Sequence, residues 1–297
     1  METDMVAPGL EQIVPPDATF EVIATKTVTG EGPVWNAREG YLLWVDIVGD
    51  TIWKWQPGVD VSVFLRPSGH ANGMTYDRQG RLVVAGWASR SIWRMEPDGS
   101  IITIASHYEG KKINTPNDLV VKSDGAIYWT DSTGFSNPGM VGPGDDLQQY
   151  LDFRAVFRLS PDGSTVTPVI EDCPGPNGIA FSPDESVLYI VDSRQRHIRA
   201  FDVQTDGTMR NPRVLYEFQG TEDKAPDGIK VDREGNMYAA GPGGIHVVDP
   251  RGNLLGRLLT PELVTNMGWG NADWRTLYVT GRRSVYRLKL NIAGVPV

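Results

Sequence analysis

Six residues stand at the head of one phrase that returns along the chain: Glu31 in EGPVW, Asn72 in NGMTY, Asn117 in NDLVV, Asn177 in NGIAF, Asp227 in DGIKV and Thr265 in TNMGW. Successive heads are 41, 45, 60, 50 and 38 residues apart. Two carboxylates, three amides and one hydroxyl brought to a common place would make an oxygen-rich collar without Cys or His. Hard divalent cations such as Ca2+ and Mg2+ take oxygen ligands of this kind, whereas structural Zn2+ prefers sulfur and imidazole. Taken singly, an Asn or Asp before Gly is a common loop former. A repeat that used these residues only for turns would accept one residue type in all six units, so acids in two units and amides in three suggest a ligand set. Glu31 and Asp227 aimed at one narrow channel would also repel each other unless a cation lies between them or one holds a proton.

The elements that must position this collar are strands. Each head is followed by an apolar run, a turn signal such as NAREG, DRQGR or KSDGA, and a second apolar run such as YLLWVD, LVVAG or IYWTD. That is the signature of a tight antiparallel hairpin. Further β-branched and aromatic runs follow in most units, among them TIWKWQP, AVFRLSPDG and SVYRLKL. Helical periodicity is broken everywhere within about twelve residues by Gly, Pro or Asp-Gly. Units of this size with three or four short strands are propeller blades, and six of them close around a central channel lined by the first strand of each. The expected fold is therefore all-β, a six-bladed β-propeller over residues 19–297, preceded by an N-terminal extension, residues 1–18. An open ring would leave a sheet edge exposed, so Phe20 to Thr27 is expected to pair into the last blade. A two-sheet sandwich has similar strand content but does not explain six regular repeats.

Other candidates for chemistry are weaker. Asp46, Asp131 and Asp192 follow their ring residues by 14 or 15 positions and return to the same rim. They either orient ligands from behind or cap strand ends, and capping is the favoured reading. Asp118 follows Asn117 directly and would face away in a regular strand, so turn stabilisation is its expected role. His70, two residues before Asn72, is placed at the channel mouth, but His70, His107, His197 and His246 show no metal-ligand spacing. GxSxG is absent and Ser132 and Ser193 stand in no readable triad, which argues against a serine hydrolase. GPGG at 241–244 lacks the following Lys or helix of a phosphate loop. The third unit carries a Gly- and Pro-rich insertion, Ser132 to Gln149; with Trp129, Phe135, Met140 and Tyr150 around it, it could wall the channel mouth as a lid.

Composition narrows the function classes. The 297 residues hold 28 Lys plus Arg against 37 Asp plus Glu, a net charge of −9, and no basic block dense enough to track a phosphate backbone, so nucleic acid is not expected as a partner. Gly and Pro supply 54 residues, above the ordinary ~12% but below the ~25–30% of low-complexity chains, which means many turns in an ordered chain. Cys173 is the only cysteine, which excludes an intrachain disulfide and a Cys-based zinc site. The start is acidic and broken by Pro, and no run of about 18 apolar residues occurs; the expected location is cytoplasmic, with no membrane partner. Oligomeric state is not readable.

At GEGPVW with Glu31, TPND with Asn117, PNGIAFSPD with Asn177 and PDGIKVD with Asp227, the sequence resembles the SMP-30/gluconolactonase/LRE family of six-bladed propellers, over nearly the whole chain from about Glu21. The resemblance implies that Glu31, Asn177 and Asp227 are metal ligands and that Asn117 is a further ligand or substrate contact. It also implies divalent-metal-dependent hydrolysis of a lactone, typically a sugar lactone. Regucalcin-like members carry an Arg where this chain has Thr115, and their short lid is replaced by the longer 132–149 loop, which places the chain nearer the bacterial gluconolactonase branch.

A cation at the channel mouth, Ca2+ first and Mg2+, Mn2+ or Zn2+ as alternatives, can polarise a lactone carbonyl without a protein nucleophile. Asp227 or Glu31 is the carboxylate available as base, and the family analogy favours Asp227. Thr115, Asn117, Asn72, His70 and Phe135 are the expected substrate contacts. The competing readings are a hydrolase of another ester or of an organophosphate on the same scaffold, and a binding propeller without chemistry.

Overall fold

The structure is a computed structural model, described here for residues 2–25, 27–132, 149–220 and 225–297. Its strands form a six-bladed β-propeller. The innermost strands, in blade order, are Gly30–Asn36, Ala71–Tyr76, Thr115–Val121, Pro176–Phe181, Ile229–Val231 and Val264–Gly270. Within each blade the chain steps outward through antiparallel neighbours, so the first blade continues with Tyr41–Asp46, Thr51–Gln56 and Val59–Leu65. The 60-residue spacing after Asn117 also takes in the third-blade insertion, which lies outside the described residues apart from its ends.

The apolar pattern explains why the blades pack side by side. Along Tyr41–Asp46 every residue is buried, and period-two alternation sends neighbouring residues to opposite faces of the sheet. Leu42 and Trp44 face the sixth blade, where they meet Tyr278 and Val285, while Leu43 and Val45 face the second blade and meet Met74 and Val84. Each blade junction has its own apolar cluster of this kind, and the six together close the ring. Such two-sided burial gives near-continuous apolar runs.

The expected closure is present. Glu21–Ala24 pairs antiparallel with Val285–Lys289, with Glu21 opposite Arg287 and Val22 opposite Tyr286, and so supplies the outer strand of the sixth blade. The residues before it are also integrated into the fold. Thr3–Met5 adds a fifth strand to the fifth blade against Leu254–Leu258. The short helix Leu10–Ile13 buries Leu10 and Ile13 in the junction between the fifth and sixth blades. No helix among the described residues is long and apolar enough to cross a membrane.

Three rim carboxylates hold the ends of hairpins. Asp46 accepts the N–H groups of Val28, Thr29 and Gly49. Asp192 accepts those of Arg194 and Gln195 and the Cys173 thiol. Asp131 accepts the Asn114 N–H at 2.8 Å, and its other oxygen, Oδ1, is buried with no hydrogen-bond partner among the described residues. Burial pushes the Asp131 carboxyl up to about 7, against the pull of the Asn114 N–H and the Arg90 guanidinium.

Two outcomes follow from this packing. Leu10→Ala should cost about 2–5 kcal/mol, as for other fully buried leucines; a loss below about 1 kcal/mol in urea unfolding would mean that the N-terminal helix is only loosely attached. For Asp131 the folded state holds its proton more tightly than the unfolded chain does. Its contribution is therefore fully present below the unfolded value near 4 and is lost as pH rises toward 7, at up to about 1.4 kcal/mol per pH unit. Unfolding of wild type and Asp131→Asn at pH 4, 5.5 and 7 should show the wild type losing ground to the variant. Parallel profiles would mean that Asp131 is ionised throughout.

Candidate functional site

The ring residues stand where the innermost strands begin, and the strands are irregular there. Pairing registers slip between Glu31 and Val34, Ala71 and Met74, Pro116 and Leu119, Pro176 and Ile179, and Val264 and Asn266. In the fifth blade Asp227 and Gly228 precede the strand itself, held by Asp227 N–H to Ala240 O at 3.0 Å and Gly228 N–H to Thr265 O at 2.9 Å. Bulges of this kind re-aim side chains. They let two consecutive residues face the axis, which strict alternation forbids.

That corrects the reading of Asp118. It is 2% exposed and takes part in a closed polar group instead of stabilising a surface turn. Lys230 Nζ donates to Asp118 Oδ2 at 3.2 Å, to Asn266 Oδ1 at 3.3 Å and to the Ile229 carbonyl at 3.0 Å. The Asn266 amide donates to the same Asp118 oxygen at 3.3 Å. Asp118, Lys230 and Asn266 are the channel residues that sequence reasoning missed. A signal was available for two of them: the position after the ring residue is Gly32, Gly73, Gly178 and Gly228 in four blades but Asp118 and Asn266 in the other two. The glycines make room. A Cβ on Gly73 would lie 2.6 Å from Asp118 Oδ1, and one on Gly228 would lie 2.2 Å from Asn266 Oδ1.

Around this group stand the acids and amides of the ring. Glu31 is buried, and one carboxylate oxygen accepts the Gly32 N–H at 3.0 Å. Burial pushes its carboxyl well above the usual range; the Asp227 and Asp118 carboxylates push the same way, opposed by the Gly32 N–H and the Asn266 amide. Asp227, Asp118 and Asn266 are thus each close enough to act on Glu31. Asn177 and Asn117 are half-buried, and Asn177 Oδ1 is a buried amide oxygen with no hydrogen-bond partner among the described residues. An orphaned amide oxygen beside mutually repelling carboxylates is the donor set that a hard cation takes. Among the described residues no three His, Cys, Asp or Glu side chains group as a metal cluster; the candidate set is two carboxylates with amides and needs no such trio.

The other expected site residues are placed differently. Thr265 donates its hydroxyl to the Gly30 and Thr280 carbonyls, so the sixth blade turns Asn266 to the axis in its stead. Asn72 is buried, with its carbonyl against Gly32. Thr115 is fully buried and donates to the Ser132 carbonyl at 3.0 Å, tying its strand to the start of the insertion. His70 is half-buried with φ +49°; its N–H donates to Asp50 Oδ1 at 2.8 Å and its Nδ1 lies 2.7 Å from the Ile47 carbonyl. Phe135 and the body of the insertion lie outside the described residues. A cavity of about 430 Å³ occupies the opposite end of the innermost strands, walled by Trp35, Val121, Phe181, Trp269 and the C-terminal Val295–Val297. Of the polar axial group only Lys230 lines it, so the lysine divides the two ends of the channel.

Comparison with known proteins bears on the family and the fold. The pattern of the SMP-30/Gluconolactonase/LRE-like region matches residues 29–283. A gluconolactonase of Zymomonas mobilis is 32% identical, covering 97% of this chain and 86% of its own, and a regucalcin of Xenopus laevis is 29% identical, covering 88% and 86%. A solved structure described as a gluconolactonase important in glucose secondary metabolic pathways, from Xanthomonas campestris, superposes with a TM-score of 0.89 at 33% identity, covering 98% of this chain and 95% of its own. With the family pattern matched over residues 29–283 of the chain and a relative 32% identical across 97% of it, the chain belongs to the SMP-30/gluconolactonase/LRE-like family.

Proposed function

We propose that the chain is a lactone hydrolase, with a sugar lactone as substrate, that works with one divalent cation, Ca2+ first, held by Glu31, Asn177, Asp227 and Asn117. The lactonase reading is supported by the relatives from Zymomonas mobilis and Xanthomonas campestris, both named gluconolactonases. The cation reading rests on one observation: the buried, partnerless Asn177 Oδ1 in the collar that also holds the interacting pair Glu31 and Asp227. When bound, the cation supplies Lewis-acid stabilisation of the negative charge that develops on the carbonyl oxygen.

The chain's residues carry the remaining steps. Asp227, half-buried at the start of the fifth blade, takes a proton from water as the water oxygen bonds to the carbonyl carbon. The bond from that carbon to the ring oxygen then breaks, and Asp227 returns the proton to the departing oxygen. Lactone and water together become the hydroxy acid. Asn117, Asn72 and His70 are the proposed contacts for the substrate at the mouth. A half-buried base suits this role because it must meet a water in hydrogen-bond reach before the substrate closes over it.

Titration calorimetry on EDTA-stripped protein should detect about one divalent cation per chain, bound more weakly by Glu31→Gln and by Asn177→Ala; no binding of Ca2+, Mg2+, Mn2+ or Zn2+ would remove the cation from the proposal. Asp227→Asn keeps shape and an oxygen donor but loses the proton acceptor, and should lower kcat for aldonolactones by ~10²–10⁴ while the fold survives. A variant that retains the cation and hydrolyses at near wild-type rate would exclude Asp227 as the base. A panel of lactones, simple esters and organophosphates tests the substrate class, and wild type inactive on all three would leave the binding-propeller reading.

A further inference from the structure

We propose that Lys230 is a built-in counter-ion that limits the channel to a single divalent cation, because its ammonium holds Asp118 and Asn266 in the place where a second cation would otherwise be bound. The inference rests on the cation reading of the Glu31 end and concerns a different set of atoms. Lys230 enters from the innermost strand of the fifth blade, its stem lining the lower cavity and its ammonium reaching three oxygens: the Asp118 carboxylate at 3.2 Å, the Asn266 amide at 3.3 Å and the Ile229 carbonyl at 3.0 Å. Carboxylate, side-chain amide and backbone carbonyl are the three protein oxygen types that Ca2+ takes. The Asn266 amide closes the group by donating to the same Asp118 oxygen, and Gly73 and Gly228 leave the space that both side chains fill.

Lys230→Met keeps an apolar stem against the cavity but removes the ammonium. An ionised Asp118, 2% exposed, would then lie in a buried place without its cationic partner, a situation strongly unfavourable unless another cation enters. The three oxygens that faced the ammonium are left to receive it.

The test compares EDTA-stripped wild type, Lys230→Met and Asp118→Asn/Lys230→Met by calorimetry and native mass spectrometry with Ca2+. Lys230→Met should bind one more Ca2+ per chain than wild type and should gain more in Tm on adding Ca2+, since binding to the folded state alone stabilises it. The double variant, with no charge at the position, should return to the wild-type count. Equal counts in wild type and Lys230→Met would overturn the inference. So would a Lys230→Met chain that Ca2+ fails to restore to the fold while the double variant folds. If wild type binds no Ca2+, the reading of the Glu31 end fails, and an added ion in Lys230→Met still carries the inference while its absence refutes both.

Discussion

Six strands meeting on one axis leave too little room for six side chains, and the rest of the channel follows from how that crowding is resolved. Four blades answer with glycine at the position after the ring residue, and two fill the space so released with Asp118 and Asn266. Steric exclusion therefore decides which side chains reach the axis. It also concentrates charge there, and the deepest carboxylates, Glu31 and Asp118, are stripped of water. Glu31 shows the effect most directly: burial is the largest influence on its carboxyl, and its acidic neighbours add to it. A buried charge is tolerated only with a partner, and Lys230 supplies one for Asp118.

This polar axis is ringed by apolar packing. Cohesion comes from the junctions between blades, where residues such as Trp44, Trp129 and Tyr278 are almost entirely buried. Alternation along the second strands lets one sheet serve two neighbours, and closure by Glu21–Ala24 covers the outer side of Val285–Lys289 in the sixth blade. Because the apolar clusters lie outside the axis, polar residues can be exchanged in the channel without dismantling the packing around it. That separation is a physical reason why one propeller scaffold accommodates different chemistries.

Much of this was legible in the sequence, because strand alternation and turn chemistry are local properties. The six repeats, the strand that closes the ring and the meeting of Glu31 with Asp227 could be read directly from register. The failures share a cause. Asp118 was turned outward, and Thr265 rather than Asn266 was placed on the axis, on the assumption of regular pleating; the pairing slips at Pro116 to Leu119 and at Val264 to Asn266 break that assumption. Lys230 was missed for another reason. Its position three residues beyond Asp227 marks it as a strand residue, and nothing local reveals that its long stem returns its charge to the level of Asp118. The hold of Leu10 and Ile13 on the last two blades was equally invisible, since it joins segments some 250 residues apart.

The difference in burial between the two ring carboxylates also bears on the roles proposed for them. Glu31 is 6% exposed, bonded to the Gly32 N–H and pressed by two neighbouring carboxylates. A group so placed responds to charge within the channel but is poorly placed to meet an incoming water. Asp227 lies at a blade entrance, before its strand begins, fixed by backbone bonds to Ala240 and more open than Glu31. Fixed backbone and partial access are what a proton acceptor requires, because it must be oriented before the reaction and reachable during it. Burial, more than residue type, is therefore the reason that the proposed proton transfer is given to the shallower carboxylate and the proposed cation's charge to the deeper one.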